Sequence, residues 1–416
     1  MTGLRLTVLG AGLLLAGACG GGGSGGAAGT GGAAGTGAGA GAPSGTTGAA
    51  GIGAAGAGAG GNTAAAGAGA GGGAAGTGAG AMSSRPTAMP LISRNVPAFA
   101  SGTANTSTGP ANSNDDQTGS TWLPDKLPAW IAYDLSGVPA AQRQQILIAF
   151  YCPHAGAYLL DNTNPGDASP IDYALEINAA PGGGATAPAG GWKTVASEIG
   201  NTRASRQHLV DLAGGNWVRM TVTKATDPKG ASFDLDVHAA PDGASDSWLF
   251  MGDSITHIST MYAFSDLPAL VHARAAGRWP SVVHAAIGGT NTTTALAAVD
   301  ETMKYFPGRF VVLAYGTNDH ANEFVMEALA QKVLAAGKIP AIPHMPWSDV
   351  PGIQAEGPLN NQAIDALYAK YPQILQGPDL WATFKDRTDL IPSGDVHPNS
   401  AGQSELRNQW AAAMTR

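Results

Sequence analysis

A serine stands directly after Gly252-Asp253, at the end of the apolar run Trp248-Leu249-Phe250-Met251. That run reads as a buried strand, so the hydroxyl falls at the carboxyl end of a strand, where open α/β sheets place their chemistry. A serine hydroxyl is a weak nucleophile until a base removes its proton. A histidine has to reach it, a carboxylate usually orients that histidine, and hydrogen-bond donors must stand ready for the developing oxyanion. Downstream the chain offers, in order, Gly288-Gly289, Gly316-Thr317-Asn318-Asp319 and Asp395-Val396-His397-Pro398-Asn399. Acyl transfer from an ester through a covalent acyl-serine is the chemistry these residue types support. Each has a plainer reading when taken alone: a serine or an asparagine after a strand caps a helix, a glycine makes a turn, and an aspartate in a turn is solvated.

The elements that must position these groups alternate. Strands are expected at Ser247–Met251, Ser281–Ile287, Phe310–Tyr315 and Ile339–Pro343. Helices are expected over Asp266–Ala276, Thr292–Tyr305, Ala321–Ala336, Leu359–Tyr371 and Ser400–Met414. This rhythm predicts a parallel sheet covered by helices on both faces, over residues 247–416. Residues 85–246 have a different texture, with short apolar runs broken by Gly, Pro, Asn and Asp. Strands are expected there at Gln145–Tyr151, Ile171–Ile177, Gln207–Leu212, Trp217–Val222 and Ser232–Val237. Several alternate apolar with polar residues, which predicts an all-β antiparallel sandwich.

Ser254, Gly289, Asn318 and His397 are, in that order, the four letters of the SGNH hydrolase superfamily, also called GDSL hydrolases. The stretch from Trp248 to Ala413 resembles that superfamily, and the resemblance implies a flavodoxin-like α/β fold. It implies Ser254 as the nucleophile, with its own N–H as one oxyanion donor. It also implies the Gly289 N–H as a second donor, with Gly288 the neighbouring candidate, and the Asn318 side-chain amide as a third. Asp253 is then a structural residue that holds the turn, and His397 is the base. One block departs from the family pattern. The acid usually stands three residues before the histidine, where this chain has Gly394, and Asp395 stands only two before. Either a remodelled turn lets Asp395 reach the far ring nitrogen of His397, or a backbone carbonyl or another carboxylate, such as Asp386 or Asp389, orients the ring. His344 and Trp347 follow a strand and fit a core or rim role as well as a pocket, so they stay outside the expected site. The nine histidines show no metal-ligand spacing such as H-E-x-x-H, and the expected mechanism needs no metal, so no cofactor is expected.

The formal charge of -8 argues against nucleic acid or an anionic membrane surface as a partner. Residues 1–19 read as a bacterial lipoprotein-type signal: Arg5 starts it, Leu6 to Ala16 is apolar, and Ala16-Gly17-Ala18-Cys19 ends it, with Cys19 expected to carry acyl chains. Residues 20–84 are almost entirely Gly, Ala, Thr and Ser, too little apolar surface to offset chain entropy, so a flexible tether is expected. Its Gly22-Gly23-Ser24-Gly25-Gly26 fits the G-x-S-x-G pattern by chance, since neither strand nor helix flanks it. With Cys19 consumed, Cys152 stands alone and no disulfide framework is expected. The region Trp192 to His238 resembles the jelly-roll modules found beside carbohydrate-active enzymes. Together these features predict a surface-anchored serine esterase that removes acetyl groups from a polysaccharide or glycoside. The alternatives are a lipase, lysophospholipase or thioesterase of the same superfamily, or a non-catalytic glycan-binding surface protein.

Overall fold

The computed structural model describes residues 87–115, 117, 119–152, 168–227, 230–261 and 266–416. The expected signal segment, Cys19 and the Gly/Ala tether lie outside the described residues.

Among the described residues, eight strands form the amino-terminal sandwich: β1 (Ala98–Ala100), β2 (Ala129–Asp134), β3 (Gln145–Tyr151), β4 (Pro170–Asn178), β5 (Lys193–Glu198), β6 (Ser205–Asp211), β7 (Trp217–Ala225) and β8 (Asp234–Ala239). They pair antiparallel into a five-stranded sheet, β1-β2-β7-β4-β5, and a three-stranded sheet, β6-β3-β8. The expected all-β sandwich is present. β1, β2 and β5 join it without having been legible. β1 is three residues long, and β5 (KTVASE) is an outer strand with little apolar content.

β3 shows why some strands read as unbroken apolar runs. Ile146, Ile148 and Phe150 pack into the sandwich core, whereas Leu147 and Ala149 pack into a second core with Leu249, Met251 and Val283 of the carboxyl-terminal domain. A strand covered on both faces has no reason to alternate. β8 does alternate. Leu235, Val237 and Ala239 enter the sandwich core, and the intervening Asp234, Asp236 and His238 occupy the opposite face.

The carboxyl-terminal sheet comprises β9 (Ser247–Gly252), β10 (Ser281–His284), β11 (Phe310–Ala314), β12 (Ile339–His344) and β13 (Leu375–Asp379). All its pairings are parallel and the strand order is β10-β9-β11-β12-β13. Numbered within the domain this is 2-1-3-4-5, the flavodoxin-like order, with its switch point between β9 and β11. The helices are α1 (Ser254–Met261), α2 (Asp266–Arg274), α3 (Thr292–Met303), α4 (Met326–Ala335), α5 (Pro351–Lys370), α6 (Leu380–Asp386) and α7 (Ser400–Met414). Along β9 the side chains divide between two cores. Trp248 and Phe250 meet residues of α2, α6 and α7, while Leu249 and Met251 meet residues of α3, α4 and α5. The Phe250 and Trp410 rings meet edge to face, with centroids 5.2 Å apart.

Helix α5 starts eight residues before its expected position. Gly352, Gly357 and Pro358 read as breakers, yet Pro351 sits at the first helical position, where it is favourable. Gly357 is there because a Cβ would come within 2.3 Å of the Trp381 ring.

Candidate active site

The switch point gathers the groups that the sequence scatters. β9 ends at Gly252 and Ser254 opens α1, so its N–H lies in the first turn, where no intrahelical acceptor exists. The Asp253 carboxylate accepts the neighbouring Ile255 N–H at 2.9 Å, which holds the turn tight. Asp253 is 2% exposed, and burial, with the Asp319 carboxylate adding repulsion, pushes its carboxyl up to about 7.

His397 stands between the serine and an acid. Its Nε2 lies 2.9 Å from Ser254 Oγ, and its Nδ1 lies 2.8 Å from Asp395 Oδ1. The turn thus brings Asp395, two residues before the histidine, to the far ring nitrogen. Asp389 is instead paired with Arg387 through two contacts of 2.9 Å. Asp395 Oδ1 also accepts the N–H groups of Val396 at 2.7 Å and His397 at 3.0 Å. Burial acts to raise the Asp395 carboxyl, but these hydrogen bonds from His397 and Val396 outweigh it and hold the group below the usual carboxylate range. The pair is open to solvent, with side-chain exposures of 37% for His397 and 48% for Asp395.

The turn itself is built from distant parts. Gly394 has φ +78, a left-handed conformation that costs a side-chain-bearing residue about 1–2 kcal/mol. Its N–H donates to Asp349 Oδ1 at 2.8 Å, and the Ser393 hydroxyl bonds Asp349 Oδ2 at 2.6 Å. The Ser348 hydroxyl donates to the Asp395 carbonyl at 2.6 Å. Ser348 and Asp349 were not expected here, and no local pattern marks them, because their partners lie about 45 residues further on.

Opposite His397 lies the glycine turn Ile287–Thr290. The Thr290 N–H and hydroxyl both reach the Ile287 carbonyl, at 3.4 and 2.7 Å, and Gly289 takes φ +75 at the third position, where such turns demand glycine. Gly288 lies against Ser254, since a Cβ there would sit 3.6 Å from Ser254 Cβ. Asn318 follows β11 and is exposed; its amide nitrogen donates one hydrogen to the Thr290 carbonyl at 3.0 Å. An amide carries two N–H donors, so the second remains for a ligand. Asp319 is buried and accepts the Thr292 N–H at 3.0 Å, which ties the start of α3 to the end of β11. His344 is engaged elsewhere, with Nε2 3.0 Å from Asp365 and Nδ1 3.2 Å from Asp379.

A serine, an imidazole and a carboxylate in one chain of hydrogen bonds, beside a glycine turn and an amide donor, can carry out acyl transfer. Residues 250–404 match the family model described as GDSL-like Lipase/Acylhydrolase family. A curated relative, thioesterase 1/protease 1/lysophospholipase L1 of Escherichia coli (strain K12), is 27% identical over 185 residues, spanning 41% of this chain and 83% of that protein. Among solved structures, a catalytic mutant of an acetylxylan esterase from Geobacillus stearothermophilus is 18% identical, covering 41% of this chain and 95% of that one, with a TM-score of 0.35. A chitosan-binding module from a chitosanase/glucanase of Paenibacillus sp. IK-5, in complex with chitotriose, covers 35% of this chain and 98% of its own, with 14% identity and a TM-score of 0.27. The GDSL-like lipase/acylhydrolase family model thus lies on the same strands, turns and helices that assemble this site, and the protein is an ester hydrolase.

Proposed function

We propose that the protein is a serine esterase working through an acyl-enzyme, with Ser254 as nucleophile, His397 as general base and Asp395 orienting the ring. His397 Nε2 takes the proton of Ser254 Oγ as the oxygen attacks the ester carbonyl. The oxyanion is received by the N–H groups of Ser254 and Gly289 and by the Asn318 amide. His397 returns the proton to the departing alcohol, then activates the water that releases the acid. The observation that carries this reading is the unbroken line Asp395–His397–Ser254, with contacts of 2.8 and 2.9 Å.

For the substrate, the reading is an O-acetylated polysaccharide or glycoside. A cleft of about 340 Å³ adjoins Asn318 and Val396, with apolar Val350 and Ile353 set among polar His320 and Glu356. These walls offer apolar surface for the C–H faces of a sugar and a few polar groups for its hydroxyls. The exposed His397 and the sandwich alongside fit a substrate held on a polymer. A lipoprotein anchor at Cys19 with a Gly/Ala tether would hold the enzyme at the cell surface and within reach of such a polymer. The E. coli relative supports a second reading, in which thioesters or lysophospholipids are the substrates. Acetate release from acetylated xylan, measured beside a series of p-nitrophenyl esters of increasing chain length, separates the two. The proposed reading predicts acetate release and a steep fall in kcat/KM beyond short acyl chains. Highest activity on long-chain esters with no acetate release would overturn it.

A further inference from the structure

Tyr151 ends β3 of the sandwich, yet its side chain reaches the catalytic half of the molecule. Its Oη lies 2.8 Å from His257 Nδ1 and donates to the Ala286 carbonyl at 3.3 Å. Its ring stacks on His284, with centroids 4.6 Å apart and planes inclined at 21°. His257 Nδ1 is itself 3.3 Å from the Ala286 carbonyl, so the three groups form one closed node.

Both partners belong to elements that carry the reaction. His257 is three residues after Ser254 in the first turn of α1, with its N–H on the Asp253 carbonyl at 3.0 Å. Ala286 immediately precedes Ile287, whose N–H bonds the Gly252 carbonyl at 2.8 Å and whose carbonyl anchors the glycine turn. One phenol from another domain therefore joins the helix that presents the nucleophile to the strand end that presents the glycines. The far side of the same loop is gripped as well. α3 begins two residues after Thr290, and Glu301 near its end pairs with Arg206 of β6. Just beyond it, Lys304 meets Glu198 of β5 at 3.0 Å, and Tyr305 stacks on His208 of β6 at 4.9 Å. The segment bearing Gly288 and Gly289 is thus slung between two points of attachment to the sandwich.

We propose that Tyr151 is a positioning residue for ester hydrolysis: through His257 and the Ala286 carbonyl it fixes the spacing between Ser254 and the Gly288–Gly289 turn. This rests on the reading of Ser254 as nucleophile and the glycine turn as oxyanion site. A misplacement of about 1 Å in such a site costs on the order of 10²-fold in rate, so the two hydrogen bonds of one phenol between these elements have leverage out of proportion to their strength. It also makes the sandwich part of the catalytic architecture rather than an appended module.

The test uses the full chain. Tyr151→Phe keeps the ring on His284 and removes only Oη. The expected result is a kcat on p-nitrophenyl acetate lowered about tenfold, with KM within about twofold of the parent. Hydrogen exchange at residues 286–290 should quicken. His257→Gln should lower kcat similarly, and the double variant should be no slower than the slower single one, because both remove the same node. An unchanged kcat in Tyr151→Phe, or kcat losses that simply multiply in the double variant, would overturn the proposal and leave Tyr151 as a strut between domains. The nucleophile assignment would survive that outcome; it fails only if Ser254→Ala retains turnover.

Discussion

Asp349 accepts the N–H of Gly394 at 2.8 Å, across 45 residues of sequence, and by doing so sets the turn that delivers Asp395 to His397. A glycine stands where the superfamily usually has its acid, and that glycine is in the left-handed region at φ +78. The turn has moved the acid one residue closer to the histidine while keeping the carboxylate on the same ring nitrogen. Gly394→Ala should strain this turn, lowering stability by about 1–2 kcal/mol and kcat by more than the stability loss explains. Chemical unfolding and steady-state kinetics on the same preparation check both.

Asp395→Asn should lower kcat steeply, on the order of 10⁴-fold by analogy with other triads, because an amide in that place favours the wrong imidazole tautomer. Asp395→Ala, with water entering to hydrogen-bond the ring, should lose less. Equal activity of Asp395→Asn and the parent protein would show that the contact of 2.8 Å is not used in turnover.

Asn318→Ala should lower kcat by about 10²- to 10³-fold with little change in KM, the pattern expected when a donor acts on the transition state rather than on the bound ester. The same substitution removes the bond to the Thr290 carbonyl at 3.0 Å. Asn318→Asp keeps the side-chain size but offers no N–H when ionised, and should be as slow as Asn318→Ala. Steady-state kinetics on p-nitrophenyl acetate check both variants.

Much of this site was legible because each block sits at the end of an element with a strong local pattern. Trp248–Met251 and Phe310–Ala314 are apolar on both faces, so their ends, and hence Ser254 and Asn318, could be located from the sequence. Ser400–Met414 likewise placed His397 just before a helix, which Asn399 caps through Gly402 N–H at 3.0 Å. The supports of the site were not legible. Ser348, Asp349 and Tyr151 act on partners far along the chain, and no period or spacing records such a contact. The start of α5 was not legible either, because glycine has low intrinsic helix propensity, whereas the place of Gly357 is set by the Trp381 ring against it.

Asp253 gives the stability of the fold a pH dependence with a definite sign. Its carboxyl is raised to about 7 in the folded protein, against 3.8 for an ordinary aspartate. The folded state therefore binds this proton more tightly than the unfolded chain does. The resulting contribution to stability is full below pH 3.8 and is lost as pH rises through about 7. Asp253→Asn keeps an acceptor for the Ile255 N–H and removes the titration. The difference in Tm between Asp253→Asn and the parent should therefore shift in favour of the variant between pH 4.5 and pH 7.5, roughly the span over which the folded and unfolded proton affinities diverge. A difference that does not change with pH would contradict a protonated, buried Asp253.

In the proposed mechanism His397 activates Ser254 for attack. Intact-protein mass spectrometry after incubation with an organophosphonate, run beside p-nitrophenyl acetate turnover, tests it most directly. One adduct is expected, mapped to Ser254, with both adduct and turnover abolished in a folded Ser254→Ala and strongly slowed in His397→Ala. Turnover persisting in Ser254→Ala, or an adduct on another residue, would contradict it.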